Sequence, residues 1–359
     1  MTIRFRNMLL ALLALLPLSC SRGTGRMGPA DSFEPEFLEI EELDNGGWRA
    51  VSISPFDGSR DTLEIERPVG RLVAMSTSYV GFLQAIGCDS IVKGVSGKDY
   101  LYGPGPDAVD VGYDAAPDYE RILSLEPDLL LAYSVSAAKS PFFAKLESIG
   151  VRVFVVNEHL EHHPLARASY VRLFGALTGN MEAADSVFSM VRSNYLSLAD
   201  SVAAAVETPR KVLMNIPYND QWFIPSEDNY LSRMVKDAGG EVLGSGSGTS
   251  VSSTISLEKA YSLSNEADCW LNVSWCMTLG QLKGINPLFP EMLGNISANA
   301  VERGFDGGNV VWNDNARLNP KGGNDIWQGG VVRPDLVLRD LVGILHPSGE
   351  CKPLYYRSL

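Results

Sequence analysis

From Arg67 onward the chain alternates short apolar runs with helix-like stretches: "RLVAM", "GFLQAIGC", "IVKGVS", "YERILSLE", "LLLAYS", "FFAKLESIG" and "VRVFVV" follow one another. This alternation predicts a parallel sheet with helices packed on it. Pro127 before "DLLLAYS" and Gly150 before "VRVFVV" act as stops for the preceding helices. The next segment, "MEAADSVFSMVRSNYLSLADSVAAAVE", places Ala184, Val187, Phe188, Val191, Tyr195, Leu198 and Val202 at spacings of three and four, the stripe of a single amphipathic helix. At 1.5 Å per residue such a helix runs roughly 38 Å, more than a crossover inside one domain needs. It is expected to bridge two domains, the alternative being a long surface helix of a single one.

After Pro209 the alternation restarts with "KVLMNIP", "YLSRMVKDAGG", "SLEKAYSLS", "CWLNVS", "NVVWND" and a closing helix, "PDLVLRDLVGILHP". The second half also repeats part of the first. "DYERILSLEPDLLLAYS" (118–134) and "SLEKAYSLSNEADCWLNVS" (256–274) share a Glu, a following basic residue and an apolar run after the helix. Two Rossmann-like α/β lobes of like topology follow: an N-terminal lobe over 67–180, a linking helix over 181–207 and a C-terminal lobe over 208–359. Ahead of them, "WRAVSI" and "DTLEIE" alternate with period two around the turn "SPFDGSR", predicting an accessory β-hairpin within 37–66.

The N-terminus adds a different signal. Arg4 and Arg6 precede an apolar run from Met8 to Leu16 and small residues that end at Cys20. This is the layout of a secretory signal peptide over 1–19, too short for a comfortable membrane span. Cys20 after Leu18-Ser19 resembles a lipoprotein lipidation site, with Pro17 departing from the usual Leu; plain cleavage beside a free thiol is the alternative. The stretch from 20 to 36 is rich in Gly, Ser and Pro and is expected to be a flexible tether. Export would meet an oxidising compartment, yet Cys88, Cys269, Cys276 and Cys351 have no CxxC spacing, and the sequence leaves their pairing open.

A hydrophobic fraction of 45% with 20% charged residues is ordinary globular composition. The net charge of -13 argues against a polyanion such as nucleic acid as the natural partner, because no excess of Lys and Arg is available to neutralise phosphates. No G-x-S-x-G elbow, P-loop or H-E-x-x-H appears, so the chain is not read as an enzyme; a secreted hydrolase remains a minor alternative. "GSGSGTS" at 244–250 reads as a loop.

Loops that leave strand C-termini are expected to line any cleft between doubly wound lobes, and here they are aromatic. Tyr79, Tyr100, Tyr102, Tyr113 and Tyr133 come from the first half, Trp222, Trp275 and Trp327 from the second, with Trp312 nearby and Arg317 as a candidate counter-charge for an anionic ligand. Such rings suit a flat or catecholate ligand. His159, His162 and His163 in "EHLEHHP" form the alternative, a direct zinc, iron or manganese site, while His346 ends the closing helix.

"GRLVAMSTSYVGFLQAIGCDSIVKGVS" with "DYERILSLEPDLLLAY" resembles the N-lobe pattern of periplasmic substrate-binding proteins of ABC importers for ferric siderophores, haem and vitamin B12. "NEHLEHHPLARASYVRLFGALTG", "SLEKAYSLSNEADCWLNVS" and "GGNDIWQGGVVRPDLVLRDLVGILHP" resemble its lipoprotein branch in Bacteroides-like bacteria, over about residues 67–346 in all. The resemblance implies two lobes joined by a stiff helix, an iron complex or cobalamin as ligand in the cleft, and no cofactor. It implies a permease dimer as partner, met by one exposed Glu per lobe: Glu120 in "DYERI" and Glu258 in "SLEKA". A monomer in the periplasm, tethered through its N-terminal lipid, is the expected state; a non-transport surface binding module of the same fold is the further alternative. Replacement of Cys20 by Ala is expected to move the protein from the membrane to the soluble fraction of fractionated cells, and continued membrane retention would count against acylation.

Overall fold

Among the described residues the first element is a small antiparallel sheet of three strands, β1 (Leu38–Glu42), β2 (Trp48–Ile53) and β3 (Arg60–Ile65). It corrects the expected hairpin by one strand. β1, "LEIEE", gave no strand signal because only Leu38 and Ile40 alternate among three glutamates. Pairing matches those charges: Arg49 binds Glu41 and Glu64, and Arg60 binds Glu39. Leu38, Ala50, Leu63 and Ile65 bury their side chains, so the sheet is docked on the body. The end of the expected tether is docked as well, since the Glu161 carboxylate accepts the backbone N–H groups of Glu36 and Phe37 at 3.0 Å. This computed structural model describes residues 33–113, 116–138, 140–304, 308–347 and 352–359; the signal segment, Cys20 and Cys351 lie outside them.

The first half continues with β4 (Leu72–Ala74), α1 (Thr77–Ala85), β5 (Val92–Val95), β6 (Val109–Asp110), the short pair β7 (Gly112–Tyr113) and β8 (Ala116–Pro117), α2 (Tyr119–Ser124), β9 (Leu129–Ala132), α3 (Pro141–Ser148) and β10 (Val153–Val155). The main strands form a five-stranded parallel sheet in the order β10-β9-β4-β5-β6. Its central apolar strands β4 and β9 are buried on both faces, as a parallel sheet requires. Leu72, Ala74, Leu129 and Leu131 face the main core, while Val73, Leu130 and Ala132 face a smaller one capped by Phe142, Phe143 and Leu146 of α3.

Three helices follow: α4 (Pro164–Ser169), α5 (Val171–Thr178) and α6 (Met181–Ala205). The second half comprises β11 (Arg210–Met214), β12 (Trp222–Ile224), α7 (Tyr230–Asp237), β13 (Gly240–Val242), β14 (Ser253–Ile255), α8 (Leu257–Ser264), β15 (Cys269–Leu271), α9 (Leu279–Ile285), α10 (Phe289–Glu302), β16 (Val311–Asn313), α11 (Gly329–Val332), α12 (Pro334–Leu345) and β17 (Arg357–Ser358). Its sheet has the order β13-β11-β15-β16-β17, with only β17 antiparallel. Without the edge strands β6 and β17, the two sheets share one order: β10-β9-β4-β5 corresponds to β16-β15-β11-β13. The repeated sequence stretches are α2-β9 and α8-β15, equivalent pieces of this common core.

α6 has 25 residues and buries Ala184, Phe188, Val191, Tyr195 and Val202. It bridges the halves by packing on both, not as a bare rod. Toward its N-terminus it lies so close to α5 that a Cβ on Gly175 would come within 2.7 Å of the Ala184 Cβ. Further along, Tyr195 donates to Asp237 of α7 at 2.8 Å and Asn194 to Asp335 of α12 at 3.2 Å. The main core is continuous across both halves, from Leu72 to Tyr356.

A second seam joins the halves directly. In α1, a Cβ on Gly81 would lie 2.3 Å from the Gln328 carbonyl oxygen, just before α11. The buried Gln328 side chain donates to Gln84 at 2.7 Å and accepts from the Tyr102 backbone N–H at 3.0 Å. Asn319 donates to the carbonyls of Asp99 and Leu101 at 2.7 Å. Gly81→Ala forces the added Cβ against the Gln328 backbone and is expected to cost about 1–3 kcal/mol, read as a lowered Tm by circular dichroism. The same exchange at Gly294 of α10, where nothing lies within 4 Å of the added Cβ, should be neutral or stabilising by up to about 1 kcal/mol; equal effects at the two sites would refute the seam.

Candidate functional site

Parallel strands aim their C-terminal ends, with the polar groups of the following loops, at one rim of each sheet. In the second half these rims carry asparagines: Asn215 follows β11, Asn272 follows β15, and Asp314 and Asn315 follow β16. They floor a cleft of about 1010 Å³ whose walls include Pro217, Tyr218, Phe223, Tyr230, Trp275, Leu318 and Trp327. The first half contributes Thr77 and Tyr100. Behind the floor lies a cavity of about 30 Å³, room for roughly one water, bounded by Arg167, Tyr230, Asn272, Asp314 and Tyr356.

Three residues of this floor have left-handed backbone. Asn215, Asn272 and Ser274 hold φ of 65°, 58° and 57°, a left-handed conformation that is costly for residues with a side chain. The conformation turns each chain sharply away at the strand end. Asn215 is anchored by donating to the Phe223 carbonyl at 2.8 Å, and Asn315 by donating to the Cys276 carbonyl at 3.1 Å. Asn313 holds the same loop through the carbonyls of Ser274 and Cys276 at 2.7 and 2.9 Å. Asp314 is 9% exposed, and burial pushes its carboxyl up to about 6.

The expected contact residues divide. Tyr100, Trp275 and Trp327 line the cleft and are 46%, 60% and 46% exposed, free to meet a ligand. Tyr113 is exposed beside them, its ring 5.9 Å from that of Tyr100. Tyr102 and Arg317 belong to the seam: the guanidinium lies 4.7 Å over the Tyr102 ring and its Nε bonds Asp325 at 2.6 Å. Tyr133 is half-buried beside His159, ring to ring 5.7 Å. Two residues are core. Tyr79 sits in the first turn of α1, fully buried, and donates to the carbonyls of Ala132 and Val156 at 2.9 and 3.0 Å. Trp222 lies within β12, stacked on Trp270 and donating to the Met214 carbonyl at 2.8 Å.

The three histidines do not converge. His159 bonds the Ser134 carbonyl at 3.1 Å, His162 lies 3.8 Å from Glu36, and His163 caps α4 by accepting the Leu165 N–H at 3.0 Å. Burial and then the Arg233 charge push His163 down to about 3. No group of three or more His, Cys, Asp or Glu is placed to hold a metal ion among the described residues, which removes the geometric basis of the direct metal site. Cys88, Cys269 and Cys276 are free thiols. The floor asparagines were missed, although each apolar run of the second half ends in one: "LMN", "WLN", "VWNDN".

Glu120 and Glu258 occupy the same position in equivalent helices. Asp118 caps α2 through the Arg121 N–H at 3.0 Å, and Ser256 caps α8 through the Lys259 N–H at 3.2 Å. Each glutamate is therefore the second residue of its helix, exposed, with a basic residue following. Hydrogen bonds from its own backbone N–H and from Ser256 hold the Glu258 carboxyl below the usual range.

The comparisons agree with this architecture. The chain is 26% identical over 302 residues to an uncharacterized lipoprotein of Methanocaldococcus jannaschii, MJ0878, covering 79% of this chain and 67% of that one. It is 21% identical over 181 residues to the uncharacterized ABC transporter substrate-binding lipoprotein YvrC of Bacillus subtilis, covering 50% of this chain and 57% of the relative. The fold matches a periplasmic heme binding protein from Pseudomonas aeruginosa with a TM-score of 0.59 at 19% identity, over 81% of this chain and 98% of the other. No helix among the described residues is long and apolar enough to cross a membrane. The profile of the periplasmic binding proteins matches residues 72–286, more than half of the chain, and the protein belongs to that family.

Proposed function

We propose that the protein is the substrate-binding component of an ABC importer that captures a metal complex, an iron chelate such as a siderophore or haem, or cobalamin, between lobes 67–180 and 208–359. It delivers that ligand to a permease dimer while anchored to the membrane through Cys20. The observation that carries this reading is the aromatic-walled cleft of about 1010 Å³ at the C-terminal rim of the second sheet. Its volume suits a chelate or macrocycle better than a bare ion. Exposed Tyr100, Trp275 and Trp327 offer flat apolar faces at low entropic cost.

Glu120 and Glu258 are the proposed permease contacts. A carboxylate in the first turn of a helix is favoured by the helix dipole and offers two oxygens to a guanidinium. The equivalent placement of the two supplies a matched pair of anchors.

Titration of tryptophan fluorescence with haem, ferric siderophores and cyanocobalamin is expected to show saturable quenching by at least one of them. Trp275→Ala should weaken that binding by about 0.5–1.5 kcal/mol through loss of stacking; silence with every chelate alongside a response to free metal ions would sink the reading. Glu120→Lys combined with Glu258→Lys is expected to abolish uptake in cells while the affinity of the purified protein for its ligand stays unchanged. Uptake that survives the double reversal would remove these residues from docking.

A further inference from the structure

The floor of the cleft is built of hydrogen-bond acceptors and lacks cations. Asn315 is 4% exposed and spends its amide N–H groups on the Cys276 carbonyl and the Met277 sulfur, leaving Oδ1 buried and unpaired. Oδ1 of Asn272 is likewise buried without a hydrogen bond, with the buried Tyr356 hydroxyl beside that side chain. The same floor includes Asp314, which no Lys or Arg pairs with among the described residues. Unmatched buried acceptors are costly unless something donates to them.

No Lys, Arg or His lines the cleft among the described residues. The cations nearby are already engaged: Arg317 with Asp325 at 2.6 Å, Lys321 with Asp99 at 2.5 Å, Arg167 with Glu158 at 3.5 Å, and Arg357 with the Met277 carbonyl at 3.3 Å. The whole chain carries a net charge of -13, so its long-range field also repels anions.

We propose that the cleft selects a neutral or cationic ligand whose periphery donates hydrogen bonds, through amide or ammonium groups, to Asn272, Asp314 and Asn315, and that it rejects polyanionic chelates. This rests on the reading of the cleft as the ligand site. A corrinoid edged with amides and a hydroxamate chelate with a pendant ammonium share the required chemistry. A haem with two carboxylates and a trianionic tris-catecholate do not, because each brings negative charge to a buried carboxylate. Asp314 is the residue that determines this specificity.

Four probes separate the outcomes by tryptophan fluorescence or calorimetry on the mature chain: cyanocobalamin, ferrioxamine B, hemin and a ferric tris-catecholate. The neutral or the cationic probe, or both, should bind saturably, with the anionic pair at least about a hundredfold weaker. Tighter binding of hemin or the catecholate overturns this inference and leaves the importer reading intact; silence with all four overturns both. Asp314→Asn should weaken a cationic ligand about tenfold or more and a neutral one far less, and equal losses for both would refute the charge-specific role of Asp314.

Folding of that variant is checked by its Tm, whose sign is fixed in advance. Burial raises the Asp314 carboxyl to about 6, so this group costs stability as pH rises from about 4 through 6. The variant should melt higher than the parent at pH 7 and match it at pH 4. Binding of a cationic probe should weaken as pH falls from 7.5 to 5, while that of a neutral probe stays flat. The other titratable groups that line the cleft or the small cavity with Asp314 are Tyr100, Tyr218, Tyr230, Tyr356 and Arg167. A flat profile for the cationic probe would exclude Asp314 as its counter-charge.

Discussion

Close backbone contact between α1 and the chain at Gln328 governs the arrangement of the two sheets. Glycine at position 81 lets the helix approach the Gln328 carbonyl within a distance no side chain tolerates. Approach alone would leave buried polar groups exposed to each other without partners. Gln328 resolves this by bonding Gln84 and both backbone groups of Tyr102, and Asn319 takes the carbonyls of Asp99 and Leu101. The seam is thus directional as well as tight. Together with α6, which is packed along its length on both halves, it fixes the distance between the strand rims and so the width of the cleft. Large hinge motion would have to break these bonds and open a continuous core.

Many charges of the scaffold are matched: Arg303 with the buried Asp268 at 2.9 Å, Arg333 with the buried Asp335 at 2.8 Å, and the Glu161 carboxylate with two backbone N–H groups and Tyr170, while Glu158 Oε2, Arg167 Nε and Asp340 Oδ1 are buried there without a hydrogen bond. At the cleft floor, left-handed backbone at Asn215, Asn272 and Ser274, free amide oxygens and an unpaired carboxylate occur within one surface. Strain and unmet hydrogen-bonding capacity persist in folded proteins mainly where a ligand relieves them.

How far the sequence could be read follows from which interactions are local. The long stripe of α6, the strand–helix alternation and the capped glutamates depend on neighbours within a few residues, and each was legible. β1, β6 and β17 were not: β1 is mostly glutamate, and the other two span only two residues each. Tyr79 and Trp222 were expected in the cleft because they follow strands, yet Tyr79 had already entered α1, whose first turn points it into the core. Trp222 belongs to a strand that period-two reasoning overlooked, since it is only three residues long. Arg317 was open to two readings, counter-charge for a ligand or salt bridge, and only the fold supplies Asp325 and the Tyr102 ring that make it the second. The seam is the extreme case, because residues 84 and 328 meet across 244 positions of chain.

The internal repeat has diverged in a pattern that physical requirements explain. The outer corners, α2 and α8, keep the same cap geometry, the same exposed glutamate and the same following base. The inner rims differ: the second half supplies nearly the whole floor, and the first half supplies Thr77 and Tyr100. A partner with two-fold symmetry presents the same surface to both lobes, so its contacts must be alike in chemistry and in position. A single small molecule in the cleft carries no such symmetry, and its two faces can be met by unlike groups. On the proposed function, one framework of repeated topology would satisfy both demands, by keeping alike what meets a symmetric permease and letting differ what meets the ligand.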